Sequence, residues 1–237
     1  MKQFVRRIHT ISIAFHAQLF NTPRYHRNAG TDLAGKARSD YRNGNSPWRL
    51  FYYERPILTL LDYCDALEAG TPLDPRDPKH RFVGIDIEIR AQNQAAIENH
   101  PMASRIDMIE GSSKAEAVIE QVHSLSSDFR KIFICLDSNH THNHVLAKLE
   151  AYAPLTNKGS YCCVFDTLVE DLSSMAFDER PWGVGNNPKT AVQEFMKRLK
   201  TDGHTATDGR PLHLEIDKAL QNKLLVKAVP DGYLKRA

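Results

Sequence analysis

Two apolar runs, each followed at once by a carboxylate, constrain the fold of this 237-residue chain most strongly. The first run covers residues 131–136 and precedes Asp137, and the second covers residues 161–165 and precedes Asp166. A segment of helical length separates them, which is the pattern of a strand-helix-strand unit in a parallel sheet. Because such sheets bind ligands at the carboxyl ends of their strands, we expect Asp137 and Asp166 to share one edge.

The apolar patterns on either side predict more units of the same kind. Ser113 is placed to cap one of the predicted helices, and Pro188 opens another at a favoured first-turn position. The two final strands are expected to be antiparallel, and the repeated β-α units predict an α/β fold with a doubly wound sheet. Strands are predicted at residues 81–90, 106–109, 131–136, 161–165, 213–216 and 224–228, and helices at 57–67, 94–99, 114–125, 144–153 and 188–199.

A break in composition near residue 55 divides the chain into two parts. Residues 1–55 carry ten Lys or Arg against three Asp or Glu, a charge of +7, so the remainder carries −5 of the total of +2. The first part shows neither helical nor strand periodicity and is interpreted as a basic, irregular arm, and residues 56–237 as the α/β domain. Nucleic-acid binding through the arm would be strongly salt-dependent, but the total charge does not favour a nucleic-acid partner.

The cysteines and the apolar segments indicate where the protein resides. Cys64, Cys135, Cys162 and Cys163 lie in apolar runs without the spacing of a metal site or a disulfide framework, which predicts buried thiols in a reducing, cytoplasmic environment. The apolar patch at residues 11–15 is too short for a membrane span, so no membrane association is expected.

Polar residues at two strand exits are candidates for binding a nucleotide-like cofactor. Asp86 or Glu88 could accept hydrogen bonds from ribose hydroxyls, although either could equally be a solvated turn residue. Gly111, Ser112 and Ser113 could line an adenine pocket, or Ser113 could be an ordinary helix cap.

The residues after the strand at 131–136 suggest a metal and a base. Asp137 and Asp166 could hold a hard cation such as Mg²⁺ through oxygen, or could merely cap helices. His140 could act as a general base, because an unperturbed imidazole titrates near neutral pH. His142 is expected at the surface or in a cap, and zinc is disfavoured because His144 should begin a helix and no Cys joins the histidines.

The loop at residues 182–189 is rich in glycine and precedes a helix. It could cradle an anion at the helix N-terminus, or act as a lid that places Trp182 and Asn186 over a substrate.

Five stretches together resemble the cephalosporin hydroxylase family, whose members look like class I S-adenosylmethionine-dependent methyltransferases and include rhamnosyl O-methyltransferases as relatives. The resemblance implies a seven-stranded sheet, S-adenosylmethionine over the strand exits and a divalent metal near the acceptor oxygen. On the family pattern Asp137 and Asp166 match metal-ligand positions, but Phe165 stands where the family usually has Glu. The matching stretches lie at residues 83–90, 109–113, 136–145, 180–190 and 230–236.

The family's glycine-rich cofactor turn, of the pattern Glu-Thr-Gly-x-Ala-His-Gly-Gly-Ser, has no counterpart in the chain as written. Permitted codons for residues 22–53, read one nucleotide later, can encode that turn, and the shifted reading of the single Trp48 codon is forced to Gly. The hypothesis is that residues up to about Arg55 are a frame-shifted image of the family's first helix, strand and cofactor loop. The first strand and cofactor loop are then expected to be missing or replaced, with a gap at the middle of the sheet; the alternative is a genuine divergent arm.

The resemblance predicts a methyltransferase-like enzyme that uses S-adenosylmethionine, and Mg²⁺ as a second cofactor, to methylate a hydroxyl of a small molecule such as a sugar or an antibiotic-like scaffold. Two alternatives stay open: a degenerate, non-catalytic member, and a hydroxylase as the family name implies. The expected partner is the small-molecule substrate, and a homo-oligomer is compatible with the sequence.

Overall fold

A computed structural model describes residues 10–16, 70, 80–100, 103–173, 180–223 and 229–237. Within these residues seven strands form one sheet in the order β3-β2-β1-β4-β5-β7-β6. The strands are β1 Thr10–His16, β2 His80–Asp86, β3 Ile106–Glu110, β4 Lys131–Asp137, β5 Tyr161–Val164, β6 Leu214–Ile216 and β7 Tyr233–Arg236. The helices are α1 Ala91–Glu98, α2 Glu116–Ser126, α3 His142–Tyr152, α4 Pro188–Thr201 and α5 Lys218–Gln221, with 3₁₀ turns at Ala103–Arg105, Ala153–Leu155 and Thr167–Asp171.

The first five strands are parallel, and the last two add an antiparallel end to the sheet. β7 inserts between β5 and β6 and runs antiparallel to both, with Cys162 opposite Leu234 and Ile216 opposite the same residue. The carboxyl ends of β2, β3, β4 and β5 therefore lie along one edge, as the positions of the carboxylates predict.

The centre of the sheet is filled by β1, so the expectation of a gap there is wrong. Thr10–His16 pairs in parallel with β2 on one side and β4 on the other, with His16 opposite Asp137. Its sequence alternates Thr or Ser with Ile, a β-branched pattern that suits a strand and that the turn signals farther along the arm obscured. The first strand is expected to be either missing or replaced, and the structure shows a replacement, with Thr10–His16 in the central position.

The predicted elements are found with shifted ends, and two details are corrected. Helix α2 begins at Glu116 after Ala115, without a side-chain cap, so Ser113 is not the cap of this helix. The antiparallel partner of β6 is Tyr233–Arg236. The predicted helix at 57–67 and strand at 224–228 lie outside the described residues.

Helices cover the central strands and bury an apolar core. Ile132, Ile134 and Leu136 of β4 are at most 3% exposed and pack in one cluster with Leu149 of α3 and Phe195 of α4. Full burial of such a side chain contributes about 1.5–3 kcal/mol, so this cluster holds the exit of β4 firmly in place. Among the described residues no helix is both long and apolar enough to cross a membrane.

Candidate active site at the strand ends

Three side chains that can bind a metal or a proton converge where β4 and β5 end. Asp137, His140 and Asp166 each offer one ligand atom, and these atoms all lie within 4.8 Å of one another. The structure therefore brings together the two predicted metal ligands and the predicted base.

A tight turn after β4 carries His140 back toward the strand end. Asn139 has a φ of 40°, a left-handed conformation that Asn tolerates better than most residues. Its Oδ1 accepts hydrogen bonds from the Thr141 hydroxyl at 2.8 Å and the Thr141 N–H at 3.4 Å. This local pairing, common for Asn in turns, fixes the path of the chain from Asp137 to α3.

Asp166 reaches the site through a second left-handed residue. The Phe165 N–H donates to the Leu136 carbonyl at 3.0 Å, which keeps the chain beside β4 just past the end of β5. Asp166 then adopts a φ of 55°, and the turn Thr167–Asp171 begins. Asp166 therefore projects over the end of β4, with its side chain 49% exposed.

His140 is buried against an aromatic wall. Its side chain is 6% exposed, its Nε2 lies 3.5 Å from Asp166 Oδ2, and its ring meets the Trp182 ring edge-on at 5.2 Å. Burial lowers the pKa of His140, the negative charge of Asp166 opposes this, and the positive charges of Lys148 and Arg180 add to it. The imidazole is consequently neutral at neutral pH, the form that can accept a proton.

The loop that carries Trp182 is held by a network of hydrogen bonds. Glu170 Oε2 accepts from the Gly185 N–H at 2.8 Å and also from the Asn187 side chain, whose Nδ2 donates in addition to the Gly183 carbonyl. Asn187 and Thr190 form a reciprocal capping box that starts α4. Trp182 is thereby held against the ring of His140, the predicted base, and its placement over a substrate stays a prediction.

His142 is more embedded than the sequence suggests. Its backbone N–H donates to Asn186 Oδ1 at 2.9 Å. Its two ring nitrogens lie 2.8 Å from Thr190 Oγ1 and 3.1 Å from Glu194 Oε2. The His144 ring points elsewhere, to Ser113 Oγ at 3.3 Å. The rings of His140, His142 and His144 therefore contact different partners.

The predicted cofactor residues lie at the ends of β2 and β3. Asp86 ends β2, its Oδ1 accepts from the Glu88 N–H at 3.3 Å, and burial raises the pKa of its carboxyl group. Glu88 is exposed. Gly111 donates its N–H to the Asp86 carbonyl at 2.8 Å, which joins the two strand ends.

Gly111 is required by its conformation as well as by its position. Its φ of 149° is rare for other residues, and a Cβ there would lie 2.9 Å from a Val118 methyl. Ser112 is partly exposed, whereas Ser113 is buried, with its carbonyl accepting from the Tyr152 hydroxyl at 2.8 Å. Gly111 and Ser112 are therefore open to a ligand at this edge, and Ser113 mainly joins β3 to α3.

Three polar residues of this region were missed from the sequence. Glu110 Oε2 accepts from the Ile89 N–H at 2.8 Å and ties the exits of β2 and β3 together. Lys148 and Glu170 support the turns that carry His140 and Trp182. The sequence marks Lys148 as unusual, because it is a lysine inside the apolar stretch of α3. Nothing in the sequence beyond their charge distinguishes Glu110 and Glu170.

The donor set at the β4 and β5 ends suits a divalent cation in part. Two carboxylates and one imidazole are suitable ligands for such an ion. Among the residues that the structure describes, Asp137, His140 and Asp166 form the set whose ligand atoms lie close enough together to share it. Phe165, which precedes Asp166, supplies no oxygen, so the protein offers fewer oxygen ligands than a site built from three carboxylates.

The strand order, the antiparallel β7 and a polar site at the strand ends define the fold of a class I methyltransferase. A family model described as "Rhamnosyl O-methyltransferase/CmcI" matches residues 57–237. The chain belongs to this family.

Curated relatives cover part of the chain. It is 31% identical over 129 residues to a rhamnosyl O-methyltransferase of Mycobacterium tuberculosis (strain ATCC 25618 / H37Rv), a match that covers 54% of this chain and 46% of the relative. The rhamnosyl O-methyltransferase of Mycobacterium leprae is 39% identical over 70 residues, 28% of this chain and 31% of that protein. The chain therefore matches less than half the length of either relative.

Among solved structures, the methyltransferase MycE of the mycinamycin biosynthetic pathway, in complex with Mg and SAH, is 10% identical. The alignment covers 96% of this chain and 45% of MycE with a TM-score of 0.44.

Proposed function

We propose that this protein transfers a methyl group from S-adenosylmethionine to a hydroxyl oxygen of a small molecule. The observation that carries the proposal is the convergence of Asp137, His140 and Asp166 at the carboxyl edge of a class I methyltransferase sheet. Family membership supports the same reaction class.

The cofactor would lie across the ends of β2 and β3. Asp86 or Glu88 would accept hydrogen bonds from the ribose hydroxyls, and the backbone of Gly111 and Ser112 would border the adenine. The left-handed φ of Gly111 supports this assignment, because its backbone is accessible where a side chain would not fit. Bound there, S-adenosylmethionine supplies an electrophilic methyl group on a sulfonium.

Asp137 and Asp166 would hold a divalent cation, with Mg²⁺ proposed. When bound, such an ion lowers the pKa of a hydroxyl and orients it for attack. The half-exposed side chain of Asp166 supports an approach of the acceptor from the solvent side.

His140 would accept the hydroxyl proton. Burial keeps the imidazole neutral, and Trp182 shields it from water, so the proton passes from the acceptor oxygen to a ring nitrogen as the carbon–oxygen bond forms. The methyl group would be supplied by S-adenosylmethionine, whose sulfur would keep the bonding electron pair as S-adenosylhomocysteine.

The acceptor class we propose is a sugar hydroxyl or an antibiotic-like scaffold. The names of the curated relatives, rhamnosyl O-methyltransferases, support a sugar.

The test begins with calorimetric titration of the chain with S-adenosylhomocysteine, followed by incubation with labelled S-adenosylmethionine and a panel of glycosides. We expect binding, and labelled product whose formation His140→Gln slows by about 10²–10⁴-fold. An absence of heat at high micromolar ligand would overturn the enzyme assignment for this chain.

The second candidate is a non-catalytic family member, which Phe165 at the usual Glu position favours. It predicts cofactor binding without methyl transfer in the same experiment. A hydroxylase receives less support, because the group at the strand ends has one His and two carboxylates, whereas the usual iron(II) oxygenase triad has two His and one carboxylate.

We also propose that the arm up to about Arg55 is a frame-shifted segment. The family match begins at residue 57, where the original frame is expected to resume, and this supports the proposal. Resequencing the DNA that encodes residues 15–60 tests it: a corrected read should restore the glycine turn, and a confirmed read would make the arm genuine. A cytoplasmic location and a small-molecule substrate as the main partner stay part of the proposal.

A further inference from the structure

A buried lysine that the proposed reaction does not use lies directly behind the turn that carries the site. Lys148 is 0% exposed, a rare situation for a residue with an ammonium group. Its Nζ donates to the Ser138 carbonyl and lies 3.0 Å from the Ser138 hydroxyl. Ser138, itself 6% exposed, stands between Asp137 and the turn residues that lead to His140.

The direction of the side chain explains this contact. Lys148 lies about 9 Å along the axis of α3 from the first residue, His142, at about 1.5 Å per residue. Helical side chains tilt toward the N-terminus, so a long lysine on the sheet-facing side reaches back to the loop before its own helix. The lysine thereby links α3 to the exit of β4 across the turn.

We propose that Lys148 is a positioning residue, whose hydrogen bonds to Ser138 hold the turn so that Asp137 and His140 both face Asp166. The effect on catalysis rests on the proposed function, whereas the hold on the turn does not. The contact suits this task because it adds hydrogen bonds from α3 to a turn in which Asn139 holds a left-handed conformation.

The electrostatic setting agrees with a fixed position. Burial lowers the pKa of Lys148 to about 7, and the negative charge of Asp137 opposes this decrease. Either protonation state has N–H groups that can donate to Ser138, so the bonds to the turn do not depend on the charge.

Hydrogen exchange of the full chain tests the hold directly. We expect Lys148→Met, which keeps most of the apolar stem and removes the donors, to speed amide exchange in residues 138–141 by about tenfold or more, while exchange in β4 stays unchanged. A rise spread evenly over β4 and α3, or no rise, would overturn the proposal. If Lys148→Met does not fold, Lys148→Gln decides the question, because its polar side chain is one atom shorter and cannot reach the Ser138 carbonyl in the same way.

Tyr152→Phe is the matched control. Tyr152 lies one turn farther along α3, is 0% exposed and donates to the Ser113 carbonyl, so this variant also loses one buried bond to a main-chain carbonyl. It should leave exchange in residues 138–141 unchanged. An equal rise there in both variants would mean that general loosening of α3, rather than the Lys148 contact, controls the turn.

Kinetics separate positioning from the proposed function. If the chain methylates its acceptor, Lys148→Met should lower kcat by about a hundredfold, the effect of a misplacement near 1 Å, with KM for S-adenosylmethionine nearly unchanged. If the wild-type chain has no activity, the proposed function fails while the exchange result still decides the role of Lys148. A kcat equal to wild type alongside loosened exchange would overturn the catalytic part.

Discussion

The Nε2 atom of His140 lies 3.5 Å from Oδ2 of Asp166, so the turn after β4 and the turn after β5 meet face to face. The two partners differ in environment: the histidine is buried under Trp182, and the carboxylate is half exposed. An acceptor hydroxyl that reaches Asp166 from solvent would therefore come within range of the proposed base, whose side chain is almost fully buried. This asymmetry distinguishes the site from a simple surface ion pair.

Replacing His140 tests the assignment of the base. His140→Gln should reduce methyl transfer by about 10²–10⁴-fold, the usual contribution of general base catalysis. The affinity for S-adenosylhomocysteine should not change, because the proposed cofactor residues lie at the ends of β2 and β3. Steady-state kinetics and calorimetry measure the two effects, with the exposed His213→Gln as a surface-histidine control. Equal activity in both variants would exclude His140 as the base.

The Trp182 ring packs edge-on against the buried His140 ring, so Trp182 should influence the pKa of this imidazole. Because burial lowers the pKa of the imidazole, Trp182→Leu should raise that pKa toward the ordinary value of about 6.5. His140 accepts a proton only when neutral, so the variant should lose kcat/KM at a higher pH than the wild type as the pH falls. The pH profile of kcat/KM and an NMR titration of the ring measure the shift. A shift toward lower pH would show that Trp182 does not act through desolvation.

A single substitution next to Asp166 tests the proposed metal site. Phe165→Glu adds a carboxylate oxygen beside the two proposed ligands. We expect Mg²⁺ or Mn²⁺ to bind about tenfold or more tightly, since one coordinating charge is typically worth about 1.4 kcal/mol or more at such a site. Calorimetric titration with each metal gives the affinity. Phe165→Gln, of matched size without the charge, should tighten binding less.

His144 should make the fold sensitive to acid. Burial lowers its pKa from 6.5 to about 4, with the positive charges of Lys148 and Lys114 adding to the effect. The unfolded chain therefore binds a proton on this ring at a higher pH than the folded chain, so stability should fall as the pH decreases from about 6.5 to about 4. The loss from this residue should be of the order of 1 kcal/mol, because solvent screens a partly exposed ring.

Urea unfolding at a series of pH values measures that slope. His144→Asn should flatten it between pH 6.5 and 4, whereas His213→Gln, on an exposed histidine, should leave it unchanged. A slope in His144→Asn as steep as that of the wild type would show that other groups dominate the acid response.

Much of this site was visible in the sequence because its elements follow local rules. Asp137 and Asp166 each follow an apolar run, and parallel strands bring their carboxyl ends to one edge, so their proximity could be predicted. His140 was found because it closely follows Asp137. The loop at residues 182–189 was recognised, but its position on His140 depends on Glu170, whose partners are distant along the chain.

The features that the sequence did not show depend on long-range contacts or on weak signals. β1 has a weak sequence signal, because its seven residues lie within an arm dominated by turn-forming residues, whereas pairing on both sides gives the strand its place in the sheet. Ser113 was predicted as a cap from its residue type, yet its Oγ lies beside His144 and its carbonyl serves Tyr152. The role of Lys148 could not be predicted, because only the folded turn brings Ser138 within its reach.

Gly232 supports the end of β5 by allowing two backbones to approach closely. Its carbonyl accepts from the Val164 N–H at 2.9 Å, and a Cβ at this position would lie 2.2 Å from the Val164 carbonyl oxygen and 2.6 Å from a Val229 methyl. The nearest atom, the Val164 carbonyl oxygen, belongs to the backbone at the end of β5. It cannot move without displacing the chain that leads to Asp166. Gly232→Ala should therefore destabilise the protein by about 2 kcal/mol or more.

Gly84→Ala is the matched control for this prediction, since the obstacle there is of a different kind. A Cβ at Gly84 would meet the Met108 sulfur at 2.6 Å and its terminal methyl at 2.9 Å, and this flexible side chain can rotate away. We expect Gly84→Ala to cost about 1 kcal/mol or less in urea unfolding, clearly below the cost of Gly232→Ala. Equal losses would show that the backbone around Val164 yields as readily as a methionine side chain. In that case the position of Asp166 would depend on the 3₁₀ turn that follows it rather than on Gly232.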